Sequence, residues 1–211
     1  MGSNPSQYYG VGGNYPVYKT TWFKTIEYCN RRSILEGHTP CYSYNNGTDY
    51  GTNPAGWPAG WDSADNNHLY VLCNWSANGF RLPTDMESMF ASMGGILSAG
   101  YTYSGSNNID VVGWYVTNSS NLTHIVGTKS ANELGIFDMC GNVYEWCWDI
   151  YATLPNGNQT NPHGPTSGGT RVVRGGCFIN QATLCTNTSR TQIVPTSTGY
   201  TLGFRLCRNA Q

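Results

Sequence analysis

Two cysteines, Cys177 and Cys185, stand eight residues apart near the end of the chain, between Arg171 and Arg208. A pair of thiols at this spacing is compatible with a cysteine active site or with two small buried side chains, since free cysteine packs like a small hydrophobe. A run rich in threonine follows them. The segment is therefore either a reactive site or a surface that contacts a partner.

The threonine-rich run extends from Ile179 to Thr201, where seven of 23 residues are threonine. Its apolar residues follow neither a helical nor an alternating pattern, so the run is not a regular core element. We predict a polar loop held between two more regular segments, Gly175-Gly176 and Gly203-Phe204-Arg205. Loops carried by a rigid scaffold are common binding sites.

Other catalytic patterns are absent from the sequence. The four histidines show no i,i+3 or i,i+4 pairing of the kind that builds a metal site on a helix; they are His38, His68, His124 and His163. No GxSxG, P-loop or dinucleotide-binding fingerprint occurs either.

Composition narrows the classes of partner. The formal net charge is −1 and only 11% of residues are charged, so no field attracts a polyanion and we expect no nucleic-acid partner. No apolar stretch reaches the length of a membrane span, and the first thirty residues lack the pattern of an export signal. Eight cysteines without a CxxC motif are expected to be mainly reduced and buried.

Two segments are predicted to be helices. The first begins after Thr21 and ends at Gly37, with Phe23, Ile26 and Cys29 on one stripe. The second begins after Thr84 and ends at Gly94-Gly95. Thr84 and Glu87 have capping-box spacing, and apolar residues recur at helical intervals at Met86, Met89, Phe90 and Met93.

The rest of the sequence predicts short strands and long polar loops. Five segments rich in β-branched, aromatic and apolar residues are predicted strands: 68–75, 132–139, 142–149, 170–176 and 202–208. The longest linkers are 42–67 and 151–170. We therefore predict an α+β fold with much irregular loop, in a single domain covering residues 1–211.

Three blocks of sequence carry a specific resemblance. They are "NGFRLPTDMESMFA" (78–91), "NELGIFDMCGNVYEWCWDIY" (132–151) and "RVVRGGCF…R…GFRLCR" (171–208). Together they resemble the formylglycine-generating enzyme, or sulfatase-modifying factor, superfamily. The resemblance implies a C-type-lectin-like fold, in which two helices surround a small twisted antiparallel sheet with much irregular loop.

Within that superfamily, "MGSNPS" and the segment 16–43 are most similar to the variable proteins of bacterial and phage diversity-generating retroelements. This likeness implies a non-catalytic protein that binds a protein or cell-surface ligand through a variable C-terminal segment, 171–208, with display on a bacterial surface or virion. The likeness does not indicate a cellular compartment. Relatives carry a strand region ahead of "MGSNPS", where this sequence starts. We expect either that this sequence is trimmed or that the sheet edge beside the C-terminal strand is unpaired.

Retroelement variable proteins diversify by changes at adenines, and one change turns an AAC codon into Thr, Ser, Ile, Tyr, Asp or His. Those outcomes recur through the C-terminal segment. The resemblance therefore implies a ligand-binding set comprising Phe178, Ile179, Asn180, Thr183, Leu184, Thr186, Asn187, Ser189, Thr191, Ile193, Thr196, Thr198, Tyr200 and Thr201.

The enzymes of the superfamily imply an alternative, in which Cys177 and Cys185 hold copper and oxidise a substrate cysteine, because soft thiolates suit Cu(I). Cys177, however, replaces the serine that follows Gly-Gly in those enzymes, and Cys185 falls where non-catalytic relatives also carry cysteine. We favour two buried thiols and no required cofactor.

The family also implies a structural calcium site at Gly141, Asn142, Val143 and Glu145, where backbone carbonyls and a carboxylate would supply hard oxygen ligands. The alternative, which we favour, is that Asn142 makes a turn and Glu145 pairs with Arg174 or Arg205.

Tyr144, Trp146 and Trp148 alternate along one predicted strand and would share a face. They could stack on a sugar, but core packing is the favoured role for such large rings in the central block.

Overall fold

The computed structural model of the chain describes residues 6, 8–10 and 12–209. Helix α1 spans Trp22–Leu35 and begins where Thr21 Oγ1 accepts a hydrogen bond from the Lys24 N–H at 3.1 Å. Just beyond its end, Gly37 adopts a left-handed φ of 72°. Phe23, Ile26 and Cys29 are fully buried. The predicted helix and its inward stripe are confirmed.

Helix α2 spans Asp85–Ser92, and both hydrogen bonds of the capping box between Thr84 and Glu87 are present, as predicted. Its buried residues are Asp85, Ser88 and Ser92, whereas Phe90 is 54% exposed. The apolar stripe of this helix is thus half-buried at Met86 and Met89 and exposed at Phe90 and Met93. A third helix of one turn, α3, spans Ile109–Val112, and 3₁₀ turns lie at Pro54–Gly56, Asp65–Tyr70, Gly95–Leu97 and Ala182–Leu184.

The named strands are short and group into three sheets. They are β1 Tyr42–Tyr44, β2 Val71–Cys73, β3 Gly113–Trp114, β4 Cys140–Gly141, β5 Tyr144–Ile150, β6 Arg171–Arg174, β7 Arg190–Ile193 and β8 Leu202–Phe204. β1 pairs with β2 antiparallel, β3 pairs with β4 parallel, and the main sheet has the order β7-β6-β5-β8. The α+β architecture is confirmed.

The main sheet is mixed. β7–β6 and β6–β5 are antiparallel as expected, but β5 and β8 are parallel. The parallel pair is possible because the chain between these strands, which includes β6 and β7, is long enough to return β8 to the same end as β5. β8 is an outer strand, and a Cβ at Gly203 would lie 2.4 Å from the carbonyl oxygen of Val17, so that backbone segment closely covers it.

The core joins α1 to the centre of the main sheet. Trp22 Nε1 donates to the carbonyl of Cys147, and Trp146 Nε1 donates to that of Thr20, both at 3.0 Å. Trp146 is fully buried, and Trp148 stacks on Tyr42 with ring centroids 5.4 Å apart. The expected core role of Trp146 and Trp148 is confirmed.

The predicted strand at 132–139 does not form. Asn132 Oδ1 accepts hydrogen bonds from the N–H groups of Leu134 and Ile136, and Gly135 adopts a φ of 74°. These local bonds use the donors that a strand would need, so the segment becomes a turn.

All eight cysteines are free, and six of them are buried, as expected. No helix within the described residues has both the length and the apolar character to cross a bilayer.

Candidate ligand-binding site

The C-terminal segment forms an open cavity of about 440 Å³ on the molecular surface. We name it the threonine pocket, because five of its lining residues carry aliphatic hydroxyls. Its lining comprises Tyr144, Thr183, Leu184, Thr186, Thr188, Ser189, Arg190 and Thr191. All but Tyr144 come from one stretch of nine residues, 183–191.

The hydroxyls of this pocket are linked to each other and to the backbone. Thr186 Oγ1 lies 2.9 Å from Ser189 Oγ, which donates to the carbonyl oxygen of Thr183 at 3.0 Å. These bonds order the rim while leaving Thr183 exposed and Thr186 half-buried. A hydroxyl can donate or accept, so the same side chains are able to bond to a ligand.

Two buried residues hold the pocket's backbone from below. Arg174, on β6, donates from Nη1 to the carbonyl oxygens of Asn187 at 3.2 Å and Ser189 at 3.3 Å. The Asn187 side chain donates to the carbonyl oxygen of Tyr101 at 2.9 Å and accepts from Ser92 Oγ at 2.6 Å. The loop therefore has a defined conformation although most of its side chains face outward.

Two members of the predicted set lie in the interior instead. Asn187 is 6% exposed because its amide is used to anchor the loop. Phe178 is 1% exposed, and its ring packs on Tyr9 at a centroid distance of 5.5 Å. The expectation that these two side chains present themselves to a ligand is wrong, because both support the surface from within.

Other predicted residues lie outside the pocket. Thr196 donates to Asp65 at 2.7 Å, and Ile193 packs against the main core. Tyr200 is 43% exposed and contacts Tyr9 edge-on at 5.4 Å. The rest of the predicted set that does not line the pocket is half-buried or exposed, namely Ile179, Asn180, Thr198 and Thr201. A binding role for any of these residues stays a prediction.

Three pocket residues were not in the predicted set: Tyr144, Thr188 and Arg190. Thr188 belongs to the same threonine-rich run, so its composition was a usable signal. From the sequence, Arg190 is expected to belong to the framework between variable positions, and Tyr144 is expected to pack in the core. Their place at the pocket depends on the pairing of β5, β6 and β7, which sequence spacing does not reveal.

The two cysteines considered for copper lie beneath the loop. Cys177 and Cys185 are 1% and 0% exposed, and Cys177 Sγ donates to Asn180 Oδ1 at 3.1 Å. Burial raises the pKa of Cys177 to about 11 and that of Cys185 to about 12. Copper(I) binds thiolates, so an environment that favours neutral thiols does not fit a copper pair.

The residues considered for calcium are engaged with protein groups. Both oxygens of Glu145 accept from Arg205, at 2.9 and 2.8 Å. The Asn142 side chain bonds to both the N–H and the carbonyl of His124, at 3.1 Å each, and Asn142 has a left-handed φ of 61°. The single carboxylate of the set is thus used by a guanidinium, which does not fit a calcium site. Within the described part of the chain, no three His, Cys, Asp or Glu side chains cluster as a metal would require.

A second cavity, of about 530 Å³, lies beside β8 and is lined mainly by apolar side chains such as Val17, Phe137 and Phe204. Its charged residues include Glu145 and Arg205, which satisfy each other. The threonine pocket instead presents hydroxyls that face solvent, and it is the stronger candidate site.

The model of the sulfatase-modifying factor enzyme 1-like domain matches residues 1–210. The chain belongs to this family. The solved structure of Treponema denticola variable protein 1 is similar to 99% of the chain, with a TM-score of 0.85 and 34% identity, and the match covers 79% of that protein. The superfamily, its C-type-lectin-like fold and the likeness to variable proteins are thereby confirmed.

Curated members of the family are similar over most of this chain. The chaperone protein LppX of Paenibacillus barcinonensis is 41% identical over 169 residues, which are 72% of the chain and 57% of LppX. The formylglycine-generating enzyme of Streptomyces coelicolor is 30% identical over 173 residues, 68% of the chain and 54% of the enzyme. The chain thus spans little more than half the length of these relatives.

Proposed function

We propose that this chain is a non-catalytic recognition protein of the diversity-generating retroelement type, and that the threonine pocket binds a protein target. One observation carries the proposal: nearly the whole lining comes from residues 183–191, while buried groups of Arg174 and Asn187 hold their backbone. The likeness to Treponema denticola variable protein 1 supports it.

The side chains that line the pocket and the buried groups that hold its backbone belong to different residues, which is the physical basis of the proposal. A side chain that faces solvent changes at little cost in stability, within about 0.5 kcal/mol, when its backbone is held elsewhere. Threonine and serine provide adaptable hydrogen bonds, and Tyr144 adds a rigid aromatic wall, a combination typical of paratopes. A surface of this kind can vary in sequence without loss of the fold.

Two libraries of the full chain test the proposal. In the first, five lining positions are randomised, and in the matched control five supporting positions are randomised. We expect most members of the first library to keep a melting temperature within a few degrees of the parent, and most of the second to unfold. The lining positions are Thr183, Thr186, Thr188, Ser189 and Thr191; the supporting positions are Val173, Phe178, Cys185, Asn187 and Leu202.

Selection of the first library on a panel of unrelated immobilised proteins should then enrich specific binders. Equal loss of folding in both libraries would refute the proposal, as would a failure to enrich binders from folded members. In the gene, a nearby template copy that differs from codons 183–191 only at adenines would further support it.

Copper-dependent oxidation of a protein cysteine is the second candidate, since the formylglycine-generating enzyme of Streptomyces coelicolor is 30% identical over 68% of the chain. The burial of Cys177 and Cys185 does not support it. We expect titration with Cu(I) to give the same result for the parent and for the double variant Cys177→Ser, Cys185→Ser. A stoichiometric Cu(I) site that is present in the parent and lost in the double variant would favour the enzymatic function.

A further inference from the structure

A cluster of buried charges lies directly beneath the threonine pocket. Asp85, at the start of α2, bonds to Arg174 Nε and lies 2.8 Å from Arg190 Nη2. The side chains of Asp85 and Arg174 are 3% and 4% exposed, and that of Arg190 is 14% exposed. One carboxylate thus serves two guanidinium groups, which leaves an excess positive charge next to the pocket. The nearby Asp149, which accepts from the Asp85 N–H, interacts instead with the charge of Arg171.

Each of the two arginines also keeps a buried donor unused. Arg174 donates from Nε and Nη1, but its Nη2 has no hydrogen-bond partner among the described residues. Arg190 donates from Nη1 to the carbonyl oxygen of Ala152 at 2.9 Å, and its Nε is likewise unpartnered within that part of the chain. A guanidinium can only donate, and because both atoms are buried, a ligand reaches this cluster only through the exposed part of the Arg190 side chain.

The two arginines border adjoining spaces. Arg190 lines the threonine pocket, and Arg174 lines a small cavity of about 10 Å³ just behind it. Thr186 lines both, so the two spaces adjoin at this residue. Glu145 also lines the small cavity, but its carboxylate is bonded through both oxygens to Arg205, which offsets its charge.

We propose that the threonine pocket recognises a carboxylate, borne by an Asp or Glu side chain that the target protein inserts between the hydroxyls toward Arg190. The proposal rests on the function proposed above and names the chemistry of its ligand. An inserted carboxylate would accept from Arg190 and, in place of the bonds that Thr186 and Ser189 make within the rim, from their two hydroxyls. It would also offset the excess charge that Asp85 alone leaves.

Two features of the pocket favour a carboxylate over a cation or an apolar group. Charge-assisted hydrogen bonds from arginine to carboxylate are stronger than neutral ones, and they strengthen further where water is partly excluded. Tyr144 adds a neutral phenol hydroxyl to the lining, and such a hydroxyl can donate to an anion. An ammonium group would be repelled by the excess positive charge of the two arginines.

Titration of the full chain with small probes tests the proposal. The probes are N-acetyl-aspartate N-methylamide, the matched N-acetyl-asparagine N-methylamide, and glucuronate, followed through the arginine Nε–Hε signals by NMR. We expect the aspartate probe to saturate the Arg190 signal, with the asparagine probe binding at least tenfold more weakly. Added salt should weaken the aspartate probe more than the asparagine probe.

Matched variants locate the site. Arg190→Lys keeps the charge but removes the Nε donor, and Thr186→Val keeps the shape but removes the hydroxyl. Each should weaken the aspartate probe at least fivefold, whereas Arg208→Lys and Thr48→Val, at exposed positions outside the pocket, should leave it unchanged. Circular dichroism confirms that each variant is folded before it is titrated.

Equal binding of the aspartate and asparagine probes, no saturable change at Arg190, or equal weakening by the control variants would overturn the proposal. Tighter binding of glucuronate than of the aspartate probe would also overturn it, because the pocket would then select an acidic sugar. The library experiment does not depend on these probes. If the first library stays folded and yields binders but the aspartate probe does not bind, only the carboxylate proposal is refuted.

Discussion

The two main helices differ in how deeply they bury their apolar residues. Helix α1 places Phe23, Ile26 and Cys29 in the core, each fully buried. Helix α2 buries Asp85 and Ser92, while Phe90 is 54% exposed. Both sequences have the apolar spacing of an amphipathic helix, but the stripe is fully buried in α1 and only half-buried or exposed in α2.

The difference arises from what each helix packs against. α1 lies on the aromatic core around Trp146, where apolar side chains gain most from burial. α2 lies over the arginines that support the threonine pocket, and a buried guanidinium requires a carboxylate or another acceptor nearby. The polar face of α2 is therefore turned inward to support the candidate site.

Loss of the Asp85 carboxylate is expected to have the largest effect. Asp85→Ala leaves Arg174 and Arg190 without their shared partner and should lower the free energy of unfolding by about 3–5 kcal/mol. Urea denaturation measures the change. Asp62→Asn, which removes only an ion pair with the exposed Lys24, should cost about 1 kcal/mol or less. Similar losses in both variants would show that α2 does not depend on its polar face.

Truncation of one apolar residue in each helix compares the two faces directly. Ile26→Ala in α1 should destabilise the fold by about 2–5 kcal/mol, because it opens a cavity in the core. Phe90→Ala in α2 should cost less than about 1 kcal/mol, since the ring is already half in solvent. Thermal and urea unfolding test both. A larger loss for Phe90→Ala would contradict the assigned orientation of α2.

The anchor between α2 and the pocket should have an intermediate effect. Asn187→Ala removes the bonds to Tyr101 and Ser92 and should lower stability by about 1–3 kcal/mol. It should also make the 183–191 loop more sensitive to limited proteolysis. The exposed Asn158→Ala is the control and should change neither property. An unaltered loop in Asn187→Ala would mean that Arg174 alone holds the backbone.

A pH dependence of stability is expected from Asp149, which accepts a hydrogen bond from the Asp85 N–H at 2.7 Å. Burial, followed by the charge of Asp85, raises the pKa of Asp149 from 3.8 to about 7, against the opposing charge of Arg171. The folded state therefore retains a proton that the unfolded state releases. Between about pH 4 and pH 7, stability should fall as pH rises, by at most about 1.4 kcal/mol per pH unit from this group.

Asp149→Asn keeps an acceptor for the Asp85 N–H and cannot ionise. Urea denaturation at several pH values should show that the parent loses stability relative to this variant from about pH 4 to pH 7, with no further difference above. A constant difference across the range would show that Asp149 titrates normally in the folded protein.

Several features of the fold were predictable from local sequence. Thr21 and Thr84 identify the two helix starts, because a side-chain cap is satisfied by residues three positions away. The segments around Trp146 and Val173 were recognised as strands from their apolar and β-branched content. The segment 132–139 was not predicted correctly, since Asn132 bonds to its own neighbours and makes a turn where composition indicated a strand.

The candidate site was predictable in part. The threonine-rich composition located the stretch that lines the pocket. The predicted loop character is wrong for β7, Arg190–Ile193, which pairs with β6 in the main sheet. The composition did not separate Asn187, which anchors the loop, from Thr188, which lines the pocket beside it. Neighbouring residues of an irregular loop have no fixed period, so their directions depend on the groups packed beneath them.

By itself, the sequence determined the two main helices, the central strands β5 and β6, the family of the chain and the stretch that lines the threonine pocket. These follow from interactions between residues close in the chain and from the order of its motifs. Only the tertiary structure decided which face of α2 turns inward and which hydroxyls share a pocket. It also decided that Arg174 and Arg190 meet Asp85, because these depend on the contacts of α2, β6 and β7, which are far apart in sequence.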